Sequence, residues 1–260
     1  MGGLSDQTVR RTAREIFEQV ELNAHEELRR SPHALAFSGF AGGLSMGLTG
    51  LSVAAATAAL GDTPGNQFMA YLLYPIGFIA VIIGRAQLFT ENTLYPVALI
   101  LSERKHVFET ARLWGVVFLF NILGACAFGA LAVRTDALGS TIQSNLVRLG
   151  IQNAQGGGDH IFWSGVIGGW IIALVAWMVT ASHWTIGQIA VIWLMTFAVG
   201  IGHFSHCIAA SGEIVAAVFA GSVAFSHYLW WLALATSGNI LGGVLIVTLL
   251  NFGQVKAGEE

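Results

Sequence analysis

Two short polar stretches interrupt otherwise apolar sequence, and they hold most of the residues able to do chemistry. The first, 85–92, offers Arg85, Gln87, Thr90, Glu91 and Asn92. The second, 203–213, offers His203, Ser205, His206, Cys207, Ser211 and Glu213. In hydrocarbon such groups are costly unless protein or water satisfies them. Their concentration in two places therefore points to use. Histidine holds or releases a proton near neutral pH. His206 can thus stabilise an anion, or hand it a proton so that it crosses as a neutral acid. The bland alternative, a hydrogen-bonded structural histidine, is outweighed at His206 by the repeat described below. At His203 the structural role is favoured over a second relay member. Arg85 is expected to pair with Glu91 or Glu213. Asn121 and Asn239 are expected to hydrogen-bond unwound backbone.

The elements that must position these groups are membrane helices. The chain is 55% apolar and only 10% charged, against roughly 25% charged in soluble domains. Its net charge of -3 offers no basic surface for nucleic acid. The two cysteines, Cys126 and Cys207, lie in apolar surroundings with no metal-type spacing, so neither disulfide nor metal is expected. Crossing ~30 Å of hydrocarbon takes about 20 residues of helix. The uncharged runs 34–60, 113–133, 161–182 and 228–252 qualify. The first polar stretch is flanked by apolar 68–84 and 93–101, and the second by 186–202 and 214–225. Each reads as two half-helices around a break. The prediction is an all-α protein of six spans, the second and fifth broken.

Arg10, Arg11, Arg14, Arg29, Arg30, Arg104, Lys105, Arg112 and Lys256 fall on one side of this arrangement, and only Arg134 and Arg148 on the other. Both termini are therefore expected in the cytoplasm, with the chain multi-pass in the inner or plasma membrane. Residues 1–33 are expected to form an amphipathic helix at the interface or in solvent, carrying Val9, Ala13, Ile16, Phe17 and Val20 on one face. They are too charged for a signal peptide. A myristoyl anchor on the initial Met-Gly-Gly would be redundant with six spans. Residues 34–252 form the expected membrane domain and 253–260 a tail. The stretch 134–160 is expected as a long external loop with a flexible glycine turn.

An internal repeat sharpens this picture. Asn121-Ile122-Leu123-Gly124 recurs as Asn239-Ile240-Leu241-Gly242, 118 positions later. The same offset carries Leu88 onto His206, joining the two polar stretches. With three spans per half, the halves must be inverted in the membrane. Broken helices at matched places in inverted repeats mark a midplane site.

Gly-Arg-Ala-Gln-Leu-Phe-Thr-Glu-Asn-Thr in the first break, Phe-Ser-His-Cys-Ile-Ala-Ala-Ser in the second and Gly-Asn-Ile-Leu-Gly-Gly in the last span resemble the motifs of the formate/nitrite transporter family. The resemblance covers roughly residues 34–252. It implies an aquaporin-like fold, a homopentamer with one pore per subunit, and passage of small monovalent anions or their conjugate acids. It further implies that His206 is the central pore histidine and that Thr90 faces it. Leu88 is then a constriction residue within the Leu88-Phe89-Thr90 segment that lines the pathway, and Tyr74, Phe78 and Val199 are apolar gates. Gln87, Ser205 and Ala210 depart from the family pattern. A vestibule lysine is replaced within 156–159.

The expected function is a channel or transporter for a small monovalent anion or weak acid, possible proton linkage running through His206. The alternative is the same fold conducting ammonia or ammonium, suggested by Glu91 and Glu213. An enzymatic or haem-binding role is not expected, because no second histidine pair accompanies His203 and His206.

Overall fold

The computed structural model describes residues 10–258, which are helical with no strand. Met1, the following glycines and Val9 lie outside the described residues. α1 (Ala13–Arg29) starts at a capping box in which Thr12 and Glu15 satisfy each other's backbone N–H groups. Its face of Ile16, Phe17, Val20, Ala24 and Leu28 is buried. The helices Tyr95–Glu103, Gly158–Ala181 and Leu250–Ala257 cover that face, so α1 belongs to the packed body.

Ser31 caps α2 (Pro32–Leu60), and Thr63 caps α3 (Pro64–Tyr71), with proline following each cap. A tight turn joins α3 to α4 (Ile76–Ile83), so 64–83 acts as one apolar rod. The chain then leaves helical geometry until a 3₁₀ turn at Glu91–Thr93 leads into α5 (Tyr95–Glu103). α6 (Val107–Arg134) follows. In the second half α7 (Ser140–Ala154) precedes α8 (Gly158–Ala181) and α9 (Thr185–Ile201). A second non-helical segment separates α9 from α10 (Ala209–Phe219). α11 (Phe225–Leu241) continues through a π turn at Gly242–Leu249 into α12 (Leu250–Ala257), so this rod extends past residue 252. Among the described residues, five helical stretches are long and apolar enough to cross a membrane: Pro32–Leu60, Pro64–Ile83, Val107–Arg134, Gly158–Ala181 and Phe225–Ala257. α9 and α10 are shorter apolar helices.

Two close helix pairs frame the interior, α2 against α6 and α8 against α11. A side chain at Gly43 would collide with the Asn121 carbonyl, and one at Gly169 with the Asn239 carbonyl. Glycine at these two positions lets the backbones touch.

The stretch 134–160 is a correction to the sequence reading. Most of it is α7, not an extended loop. Leu146, Leu149, Gly150 and Ala154 recur at helical spacing and are buried against α2 and α10. Polar residues on the other faces hide this periodicity. The glycine turn is confined to the junction with α8, where Gly156 has φ 112.

Candidate functional site

The two non-helical segments meet inside the bundle. Each is entered through a left-handed residue, Arg85 (φ 57) in the first and His203 (φ 51) in the second. Neither residue is glycine, so packing must hold them there. Asparagine side chains satisfy the freed backbone. Asn121 accepts the Phe89 N–H at 2.9 Å and donates to the carbonyls of Gly39 (2.7 Å) and Gln87 (2.9 Å). Asn239 accepts the Cys207 N–H at 2.9 Å and donates to Gly165 (2.7 Å) and Ser205 (2.8 Å). The Gln87 N–H donates to Ser38 Oγ at 3.1 Å, and the Ser205 N–H to Ser164 Oγ at 2.9 Å. One scaffold is thus built twice, 118 positions apart.

Thr90 and His206 stand where the segments touch. Both are fully buried, and Thr90 Oγ1 lies 2.8 Å from His206 Nε2. His206 Nδ1 accepts the Ala209 N–H at 3.0 Å. A fixed donor at Nδ1 places the proton of the neutral ring on Nε2. Nε2–H then donates to the Thr90 oxygen, leaving the threonine hydroxyl hydrogen free to turn elsewhere. Phe78 packs edge-on against His206 at 5.2 Å between ring centroids. Tyr74 follows Phe78 at 5.8 Å, and Tyr71 follows Tyr74 at 6.2 Å. Tyr71 reaches His203, its hydroxyl 3.4 Å from Nδ1. An aromatic file therefore leads from His206 toward α7.

A cavity lies on each side of this contact. One, of about 260 Å3, is lined by Thr57, Tyr71, Arg148, Asn153, His160 and His203. A narrow extension carries Tyr74, Val199, Ala210 and Glu213. Arg148 is anchored by Asp62, and Asn153 donates to the buried Glu213 carboxyl. The other cavity, of about 80 Å3, lies under α1 and is lined by Asn23, Glu26, Glu27, Arg85, Gln87 and Glu91.

Several candidates sit otherwise than the sequence suggests. Arg85 shares a cavity with Glu91, but no ion pair joins it to Glu91 or Glu213 among the described residues. Phe89 turns its ring away from the contact, onto Trp114 (5.6 Å) and Phe118 (5.0 Å) of α6. Leu88 is buried beside it. Gln87 accepts from Asn92 Nδ2 at 2.8 Å, so this amide pair braces the first segment internally. Sequence reasoning passed over Tyr71, Arg148, Asn153 and His160. Recognising α7 as a helix would have brought Arg148 and Asn153 to the site; His160 stands in the first turn of α8.

The formate/nitrite transporter family profile matches residues 14–253. The chain belongs to the formate/nitrite transporter family. It is a multi-pass membrane protein, and its family relatives are transporters and channels. It is 35% identical over 248 residues to the inner membrane protein YfdC of Escherichia coli, covering 93% of this chain and 78% of that one. It is 32% identical over 196 residues to a probable formate transporter of Methanothermobacter thermautotrophicus, covering 68% of this chain and 71% of the relative. Among solved structures, an ion channel of the same family superposes with a TM-score of 0.82 at 18% identity, covering 92% of this chain and 98% of that one. A pentameric formate channel with formate bound superposes at 0.70 and 19% identity, covering 86% and 97%. Both likenesses establish the fold.

Proposed function

We propose that the chain forms a pore for a small monovalent anion or its conjugate weak acid, with Thr90 and His206 as the central polar pair. The observation that carries this reading is the buried Thr90–His206 contact between two cavities. A solute leaving either cavity meets apolar walls, then one hydroxyl and one imidazole. Phe78, Tyr74 and Val199 strip water on the α7 side, and Leu88 does so beside Thr90. Such a ring excludes large or multiply charged ions. The Nε2–H of the neutral His206 ring donates a hydrogen bond to the anion in place of the Thr90 oxygen. Arg148 supplies positive charge at the α7-side cavity, where the vestibule lysine is replaced.

On this reading, the chain has six spans in two inverted halves, interrupted at 84–90 and 202–208. The matched asparagine scaffolds support it. The first 33 residues and the end of the chain face the cytoplasm together with the cavity under α1, following the excess of Lys and Arg there. The assembly is a homopentamer, like the formate channel it resembles in fold. Exposed Phe37, Phe108 and Ile186 suit contact with lipid or neighbouring subunits.

The test is weak-acid flux into proteoliposomes across formate, nitrite, hydrosulfide, acetate and ammonium. His206→Phe is expected to abolish formate-type flux while the oligomer persists on size exclusion. Unchanged flux sinks the central role of His206. A second reading, ammonia or ammonium, is favoured by the carboxyls of Glu91 and Glu213 lining the cavities. Reversal potentials in formate and ammonium gradients separate the two.

A further inference from the structure

Away from the pore, three metal-type donors converge from two separate parts of the chain. His25 projects from α1, Glu103 ends α5, and His106 stands just ahead of α6. His25 Nε2 lies 2.8 Å from Glu103 Oε1, and His106 Nε2 lies 3.1 Å from Glu103 Oε2. The three ligand atoms all fall within 4.8 Å of one another. The two imidazoles meet edge-on, 5.7 Å between centroids at 88°, so both Nε2 atoms aim at the same carboxylate.

The backbone is bent to produce this convergence. Arg104 and His106 both adopt left-handed conformations, with φ 54 and 72. Such conformations persist in residues other than glycine only where the surroundings impose them. Here they return the chain on itself, so that His106 comes back over the Glu103 side chain. Neither bend contributes to the pore or to a cavity described above.

We propose that His25, Glu103 and His106 form a binding site for a divalent transition metal of the Zn2+ type, which fastens α1 to the turn ahead of α6. Two imidazoles and one carboxylate are a donor set that suits zinc, with a fourth position left for water. Zinc bonds of about 2.0–2.1 Å place tetrahedral ligands about 3.3 Å apart. The hydrogen-bonded pairs are a few tenths of an ångström closer than that, so small side-chain rotations admit the ion. The side chains retain 24–33% exposure, which leaves an entry path. Lys105 Nζ, 3.0 Å from Glu103 Oε2, takes the place of the cation's charge in the metal-free site. Lys105 is 66% exposed and can swing clear.

The position of the site assigns it a consequence, which rests on the pore reading above. Asn23, Glu26 and Glu27, on either side of His25, line the cavity under α1. A metal on His25 holds these two carboxylates over the narrower entrance, where they repel an approaching anion. Bound metal therefore slows anion flux.

Binding is tested without any transport. Purified full-length protein, treated with chelator and dialysed, is titrated with Zn2+ by calorimetry and with Co2+ by visible absorption. The expected results are one ion per chain, an intense tetrahedral Co2+ band, and a raised thermal unfolding midpoint. His25→Gln and His106→Gln are each expected to weaken binding by about tenfold or more, as loss of one ligand or its support does. Should one variant misfold, the other and Glu103→Gln carry the test. No binding by the wild type, or equal binding by the variants, overturns the site. Zn2+ is then added to proteoliposomes; flux slowed in wild type but not in His25→Gln supports the clamp. Intact Zn2+ binding with unchanged wild-type flux overturns the clamp. Failure of the pore reading appears separately, as absence of anion flux before any metal is added.

Discussion

Between α4 and α5, Arg85 turns the chain and Asn121 takes the Phe89 N–H; between α9 and α10, His203 turns the chain and Asn239 takes the Cys207 N–H. The asparagines make the same three bonds, with lengths matching within 0.1 Å. The side chains that the two segments present are not alike. The first holds out the Thr90 hydroxyl, braced by the Gln87–Asn92 amide pair. The second holds out the His206 imidazole, its tautomer set by Ala209. The backbone support is the same in both segments, while the groups they hold out at their contact differ. The scaffold answers a need common to both, since every buried N–H and C=O requires a partner.

The largest effect is expected from breaking the scaffold itself. Asn121→Leu or Asn239→Leu leaves one carbonyl and one N–H of the non-helical segment buried without their partner. Each such orphan costs about 1–3 kcal/mol, so both variants should unfold well below wild type in a thermal scan, and by similar amounts. A large disparity would break the equivalence of the two segments. A smaller, functional effect is expected at the contact. Thr90→Val removes the acceptor of the His206 Nε2–H and should reduce weak-acid flux by about tenfold, the equivalent of about 1.4 kcal/mol, with a smaller fall in melting temperature than in the asparagine variants, since one buried donor is orphaned. Wild-type flux in this variant would show that the first segment contributes support alone. The smallest effect is expected at the α7-side cavity. Arg148→Ala should lower anion flux about two- to threefold at low ionic strength, the loss fading at high salt as charges are screened. A loss that salt does not alter would make Arg148 a structural partner of Asp62.

The positions of both interruptions could be read directly, because charged and amide groups inside long apolar runs are too costly to sit there without a partner or a use. The role of Asn121 and Asn239 was also readable, from a four-residue repeat placed consistently with those interruptions. α7 was not. Its apolar positions are few, and only contact with α2 and α10 makes Leu146, Leu149 and Gly150 a buried face. The direction of Phe89 was equally hidden: the sequence puts it beside Thr90, while Trp114 and Phe118 decide where its ring packs. Arg85 meets Glu91 across a shared cavity without a close ion pair, for a related reason. Its left-handed backbone aims it into the cavity under α1.

By itself, then, the sequence determined a membrane-crossing chain, the places where its helices yield, and the side chains gathered there. Hydropathy and charge act locally and along the chain, so they are legible without coordinates. Tertiary structure alone decided that Thr90 and His206 meet at 2.8 Å, that α7 brings Arg148 to one cavity, and that His25 joins Glu103 and His106 across 78 residues. Those are distances between segments remote in sequence, and close packing of helices settles them.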